Sequence, residues 1–200
     1  MRLERRTPRT RDGDPRKGAR TRILDAAYEL FSRRGINAVG IDQIIAEAPV
    51  AKATLYHHFA SKEDLVCAFL ELRERRWTVE WLQAEIESRA HSGRSRALVA
   101  FDALDEWFHR PDFEGCSFIN TLLEISDSSN PIHQAAVRHL AVIQTMLEGY
   151  VEEAGVANPR EASWQLQVLM MGAIVSAGRG DEMAARHARS LAELMLEPSR

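Results

Sequence analysis

The chain has 200 residues, 45% hydrophobic and 28% charged, with 11 Gly and 7 Pro, an ordinary globular composition for one domain or two small ones that excludes a disordered or fibrous chain. Its two cysteines, Cys67 and Cys116, exclude a disulfide scaffold and a four-cysteine zinc site; no run approaches the roughly 20 apolar residues of a membrane span, and no apolar stretch follows the Arg-rich start as in a secretory signal, so a cytoplasmic protein with no membrane partner is expected. The net charge of −3 averages two unlike parts, because residues 1–62 hold 13 Lys/Arg against 7 Asp/Glu while residues 63–200 hold 13 against 22.

A basic N-terminal part points to a polyanion, and the acidic remainder excludes coating by nucleic acid throughout. The plain alternative is a basic tail on an acidic domain. Residues 1–18 carry Arg, Pro, Gly and Asp with almost no apolar residues, which reads as a flexible basic arm. From Ala19 the pattern changes. Ile23, Ala26, Ala27, Leu30 and Phe31 form one apolar helical stripe, stopped by Gly35. Ile41, Ile44, Ile45 and Ala48 mark a second, short helix, with Asp42 in its first turn and Pro49 ending it. Residues 52–59 form a third, with Leu55 and Phe59 spaced i, i+4. Ser61 and Asp64 form a near capping box for a fourth, which Leu65, Phe69 and Leu72 carry to about Trp81 or slightly beyond.

Segments 94–110, 117–127, 132–154, 160–178 and 182–196 are helical by spacing, punctuated by Gly93, Pro111, Gly115, Asn130-Pro131, Gly155, Asn158-Pro159 and Gly178/Gly180. No period-two run, Asn-Gly hairpin or internal repeat is present. The fold class is all-α with about nine helices.

Two short helices joined by three or four residues, framed by an apolar helix before and a longer one after, have the layout of a helix-turn-helix at about residues 40–59, whose second helix enters the DNA major groove. The polar residues of that second helix suit DNA contact. Lys52 offers a charge for phosphate, Thr54 a hydroxyl, Tyr56 a phenolic donor and His57 a group that donates or accepts. Lys62 stands at the start of the fourth helix, where free N–H groups attract an anion. Arg20 and Gln43 complete the expected DNA-facing set. Arg16, Lys17, Arg20 and Arg22 can reach phosphates or a minor groove; for Arg2 to Arg11 a solvated charge run is an equal alternative. His58 divides between packing and contact.

The run from Thr21 to Gly35 (TRILDAAYELFSRRG), Gly40–Ala46 (GIDQIIA), Thr54–Phe59 (TLYHHF) and Ser61–Leu65 (SKEDL) resembles the DNA-binding domain of the TetR family of bacterial transcriptional regulators, in order and at family spacing over roughly residues 17–70. The resemblance implies a homodimer that binds a palindromic operator in double-stranded DNA, and an all-helical C-terminal domain that binds a small effector and dimerises. It implies a DNA-binding domain over 19–70 and an effector and dimerisation domain over 71–200. The chain departs from the family pattern at Pro49, where Gly is usual, at Ala51 and Ala53, and at Gly40, where Thr often caps. Pro49 cannot take the left-handed conformation, so the turn must be built differently.

In the C-terminal part, Phe101, Trp107, Phe118, Asn120, Leu123, Met146 and Met170 are the expected lining of a pocket for an apolar effector, with His139 an alternative polar contact. The competing reading is a packed core. Gly115–Asn120 (GCSFIN) resembles a stretch in one subgroup of the same family. Trp164, Leu169, Ile174, Ala185 and Ala188 are the expected dimer interface, since helix 160–178 is apolar on more than one face; burial within one protomer is the alternative. No phosphate loop, nucleophile elbow or zinc-protease motif occurs, and no His pair stands at i, i+4. The chain is therefore expected to be no enzyme and to need no cofactor or metal. A DNA-packaging protein would be basic throughout, which this chain is not.

Overall fold

The computed structural model describes residues 18–197, and every regular element in that range is helical. They are α1 (Ala19–Arg34), α2 (Ile41–Glu47), α3 (Lys52–His58), α4 (Lys62–Arg73), a π-helical stretch (Glu74–Gln83), α5 (Ala84–Arg89), α6 (Gly93–Phe108), α7 (Ser117–Glu124), α8 (Pro131–Glu153), α9 (Pro159–Gly178) and α10 (Ala184–Met195). Because α4, the π-helical stretch and α5 run on without a break, the described residues form nine helices, as the all-α reading expects. The expected arm, with Arg2, Arg11, Arg16 and Lys17, lies outside the described residues except for Gly18.

The chain divides into two compact units with the boundary between Phe69 and Leu70. In the first unit α1 buries Ile23, Ala26, Ala27 and Phe31 on one face, the i, i+3, i+4 stripe that a 3.6-residue period aligns. That face meets α2 and α3, which contribute Ile44 and Leu55 to the core. Phe31 and Tyr28 pack against Phe69 at ring distances of 5.4 and 5.7 Å. Gly35 ends α1 at φ +79°, and its N–H donates to the Phe31 carbonyl at 3.0 Å. Residues with a Cβ rarely adopt that φ, which is why Gly stands there.

In the second unit α6, α8, α9 and α10 pack on one another, and α7 packs on α8. Ser92, Asn130 and Asn158 accept from backbone N–H groups at the starts of α6, α8 and α9, satisfying donors that a helix leaves free. Gly93 sits so close to the end of α8 that a Cβ there would lie 2.2 Å from the Tyr150 carbonyl oxygen and 2.6 Å from the Ala154 nitrogen. The alanines Ala184, Ala185, Ala188 and Ala192 of α10 are buried. Small side chains let α10 lie against α6 and α9, and Arg189–Asp102 (2.8 Å) and Arg186–Asp105 (3.2 Å) tie it to α6.

Two helix limits differ from the sequence expectation. The fourth helix continues to Arg89, because nothing from residue 82 to 89 interrupts it. Its middle ten residues adopt the π register. The helix expected over 117–127 stops at Glu124, where Asp127 instead accepts from the Ser129 N–H (2.9 Å) and hydroxyl (2.7 Å) in a local turn.

The structure also corrects part of the expected dimer surface. Ile174, Ala185 and Ala188 are buried inside the protomer; the small face of α10 is spent on α6 and α9. Trp164 is 51% exposed, and Val168 and Val175 of α9 and Leu191 and Leu194 of α10 are exposed as well. Leu169 is half-buried.

Candidate nucleic-acid interface

The link from α2 to α3 is built without glycine. Ala48 closes α2 at φ −86°, ψ 3°, donating to the Ile44 carbonyl at 2.8 Å, and the Val50 N–H reaches back to the Ile45 carbonyl at 3.4 Å. These bonds take up carbonyls that α2 would leave free, while Pro49, which has no N–H to satisfy, stands exposed between them. This is the different construction that Pro49 requires. Ala51 starts α3 with no side-chain cap, and a tie from α2 is present instead. The Asp42 carboxylate lies 3.1 Å from the Lys52 ammonium. That hydrogen bond and charge raise the Lys52 pKa above its ordinary value.

α3 turns Leu55 into the core and leaves Lys52, Ala53, Tyr56 and His57 exposed on the other side. The spacing 52, 53, 56, 57 is one helical face. Tyr56 is 45% exposed, and the ring of His57 stands edge-on to that of His58, 5.2 Å away. Thr54 and His58 are half-buried at the margins. The Arg20 guanidinium lies over the Phe59 ring, 5.0 Å from its centroid, a cation–π contact that holds an exposed charge at the end of α3.

Two of the expected DNA-facing residues also have partners within the protein. Gln43 accepts from the Gly40 N–H through Oε1 at 2.8 Å, so its carboxamide caps α2 where Gly40 has no side chain to do so. The Lys62 ammonium donates to the Ile36 carbonyl at 2.7 Å and is half-buried. The Gln43 contact is a local i, i+3 cap of the capping-box kind, whereas the Lys62 contact spans 26 residues and was not legible in the sequence. Ser61 accepts from the Asp64 N–H at 3.0 Å, the expected half of a capping box. Of the basic excess in residues 1–62, residues 1–17 supply seven Lys/Arg against three Asp/Glu, and residues 18–62 supply six against four.

In the second unit, Phe101, Trp107, Phe118 and Met170 are buried and Met146 is half-buried. Asn120 is exposed, and Leu123 is 79% exposed. These two do not line an enclosed pocket in the protomer, because α7 turns Phe118, Ile119 and Thr121 inward and so turns Asn120 and Leu123 out. His139 stacks on Phe118 at 5.3 Å and pairs with Glu74 at 2.5 Å through Nδ1. Sequence reasoning did not group Trp77 and Trp81 with Trp107; their i, i+4 spacing was the available signal. Among the described residues no group of His, Cys, Asp and Glu is arranged to hold a metal, and no helix is long and apolar enough to cross a membrane.

Residues 23–69 match the family described as bacterial regulatory proteins, tetR family. That span holds α2, the glycine-free turn and α3 complete. The transcriptional regulator UidR of Escherichia coli is 32% identical over 130 residues, which cover 65% of this chain and 51% of UidR. The chain thus spans about half the length of that relative. The transcriptional activator FasR of Mycolicibacterium smegmatis is 46% identical over 57 residues, 28% of this chain and 26% of FasR. A crystal structure of a TetR-family transcriptional regulator from Streptomyces coelicolor superposes with a TM-score of 0.80 at 28% identity, covering 89% of this chain and 88% of that one. The chain thus resembles the tetR family of bacterial regulatory proteins, by sequence over residues 23–69 and by fold along almost its whole length.

Proposed function

We propose that the chain is a homodimeric transcriptional repressor that binds a palindromic operator and is released from it by a small apolar effector. The observation that carries this reading is the exposed face of α3. Lys52, Tyr56 and His57 project from a helix whose opposite side is locked into the core by Leu55. Lys52 serves the phosphates, while Tyr56 and His57 reach base edges or phosphates, with Thr54 beside them. Arg20, Gln43 and Lys62 are the remaining DNA-facing residues in this reading.

The apolar residues Trp164, Val168, Val175, Leu191 and Leu194 support dimerisation through α9 and α10. An exposed apolar face of that kind marks an interaction surface, and two-fold symmetry would bring two copies of α3 to successive major grooves about 34–36 Å apart. Residues 19–70 read DNA in this proposal, and residues 71–200 bind the effector and dimerise. An effector acts only through its different affinity for the DNA-competent and released states. No part of the reading calls for catalysis.

The test is binding to the promoter region beside the chain's own gene. The reading expects tight binding whose logarithm falls linearly with the logarithm of salt concentration, and less transcription from that promoter when the protein is added. No binding would overturn the DNA reading, and increased transcription would overturn repression.

A further inference from the structure

Five aromatic side chains meet in the C-terminal unit. Trp107 of α6 lies 5.0 Å from Trp77, 6.1 Å from Trp81, 5.7 Å from Phe108 and 4.8 Å from Phe113, measured between ring centroids. Trp77 and Trp81 both come from the π-helical stretch, a rare register that recurs at functional positions. Two polar groups on that stretch are buried without any hydrogen-bond partner. They are the indole N–H of Trp77, a residue 8% exposed, and the hydroxyl of the adjacent Thr78, 1% exposed. Buried polar groups are nearly always paired, so two neighbours left open on one turn call for an explanation.

A missing oxygen acceptor is one. An indole N–H only donates and a hydroxyl can donate, so the absent partner brings lone pairs. Flat aromatic walls favour a flat aromatic body. Charge narrows the class further. Arg73 pairs with Glu114 (3.2 Å), Arg75 with Glu80 (3.7 Å) and Arg110 with Asp112 (2.9 Å), and Glu74 is hydrogen-bonded to His139 Nδ1 (2.5 Å), so these neighbouring ionised groups already have partners and a neutral ligand asks none of them to give its partner up. Trp81, Phe108 and Phe113 are only half-buried, and Phe113 lies in the non-helical segment between α6 and α7, where a ring can swing aside without unwinding a helix.

We propose that this cluster is the effector site and that it binds a neutral, flat aromatic ketone, whose carbonyl oxygen accepts from Trp77 Nε1–H or Thr78 Oγ–H. The ligand enters between Phe113 and the three indoles. This inference rests on the regulator reading above and gives its effector a chemical class and a place.

The test is calorimetric titration of the full chain, without DNA, with 2-acetonaphthone, its acceptor-free analogue 2-ethylnaphthalene and the anion 2-naphthoate. The ketone should bind once per protomer, about tenfold or more tighter than the hydrocarbon, the ratio one or two hydrogen bonds supply. Naphthoate should bind more weakly than the ketone. Thr78→Val and Trp77→Phe keep the apolar volume and the ring respectively; one or both should bring the ketone-to-hydrocarbon ratio toward one, with the hydrocarbon's affinity for Thr78→Val unchanged and both variants melting as folded proteins. The proposal is overturned if the ketone does not bind up to its solubility limit. It is equally overturned if ketone and hydrocarbon bind alike, or if neither substitution moves the ratio. Because no DNA is present, failure here contradicts the site alone, whereas failure of operator binding by the ligand-free protein contradicts the regulator reading alone.

Discussion

The Lys52 ammonium lies 3.1 Å from the Asp42 carboxylate, so the first residue of α3 is tied to the first turn of α2. The pair bridges a turn with neither a glycine nor a capping hydroxyl. It also occupies a charge that the proposed function assigns to phosphate. Asp42→Asn should therefore strengthen binding to all DNA sequences alike and steepen the dependence of log affinity on log salt by about one phosphate contact. Titrations at four salt concentrations check this, and weaker binding would show that the pair serves to hold α3 in place.

Tyr56→Ala should weaken operator binding by about 1–3 kcal/mol, the range of a base-edge contact. Tyr56 is nearly half exposed and is not among the buried core residues, so the melting temperature should stay within about 2 °C, less than the shift a 1 kcal/mol loss of stability produces. A matching fall in stability would assign it to packing.

Lys62→Ala should lower both affinity and stability, unlike a pure phosphate contact. Its ammonium donates to the Ile36 carbonyl at 2.7 Å, and losing a charged hydrogen bond costs about 1.5–3 kcal/mol. Urea unfolding measures the stability change, and salt titration measures the affinity change. Unchanged stability would mean that the Ile36 contact contributes nothing.

Thr78→Val should stabilise the ligand-free chain by about 1 kcal/mol, since it replaces a buried unpaired hydroxyl with a methyl group of the same shape. Gly93→Ala should do the reverse, by about 1–3 kcal/mol, because its Cβ would collide with the α8 backbone. Both are read from urea midpoints at constant slope.

The first unit was legible in the sequence because its signals are local. Gly35, Pro49 and Ser61 punctuate four short apolar stripes, and each stripe has one buried face. The use of Lys62 was not legible, since it depends on where a carbonyl 26 residues away ends up; the Gln43 cap lies only three residues from Gly40 and was a local signal left unread. In the second unit α9 is apolar nearly all round. Period alone therefore could not tell Ile174, which faces the protomer core, from Trp164 and Val168, which face out. Ala185 and Ala188 suited either kind of close helix contact, and the protomer uses them itself. The π register was invisible for a related reason: Trp77 and Trp81 fit an α-helical stripe equally well.

Selection of bound sites from randomised double-stranded DNA by the full chain tests the central claim most directly. The account predicts enrichment of an inverted repeat whose half-sites lie one helical turn apart, about 34–36 Å centre to centre, and loss of that enrichment for Tyr56→Ala. Sequences enriched no better than the starting pool, or enriched equally by Tyr56→Ala, would contradict it.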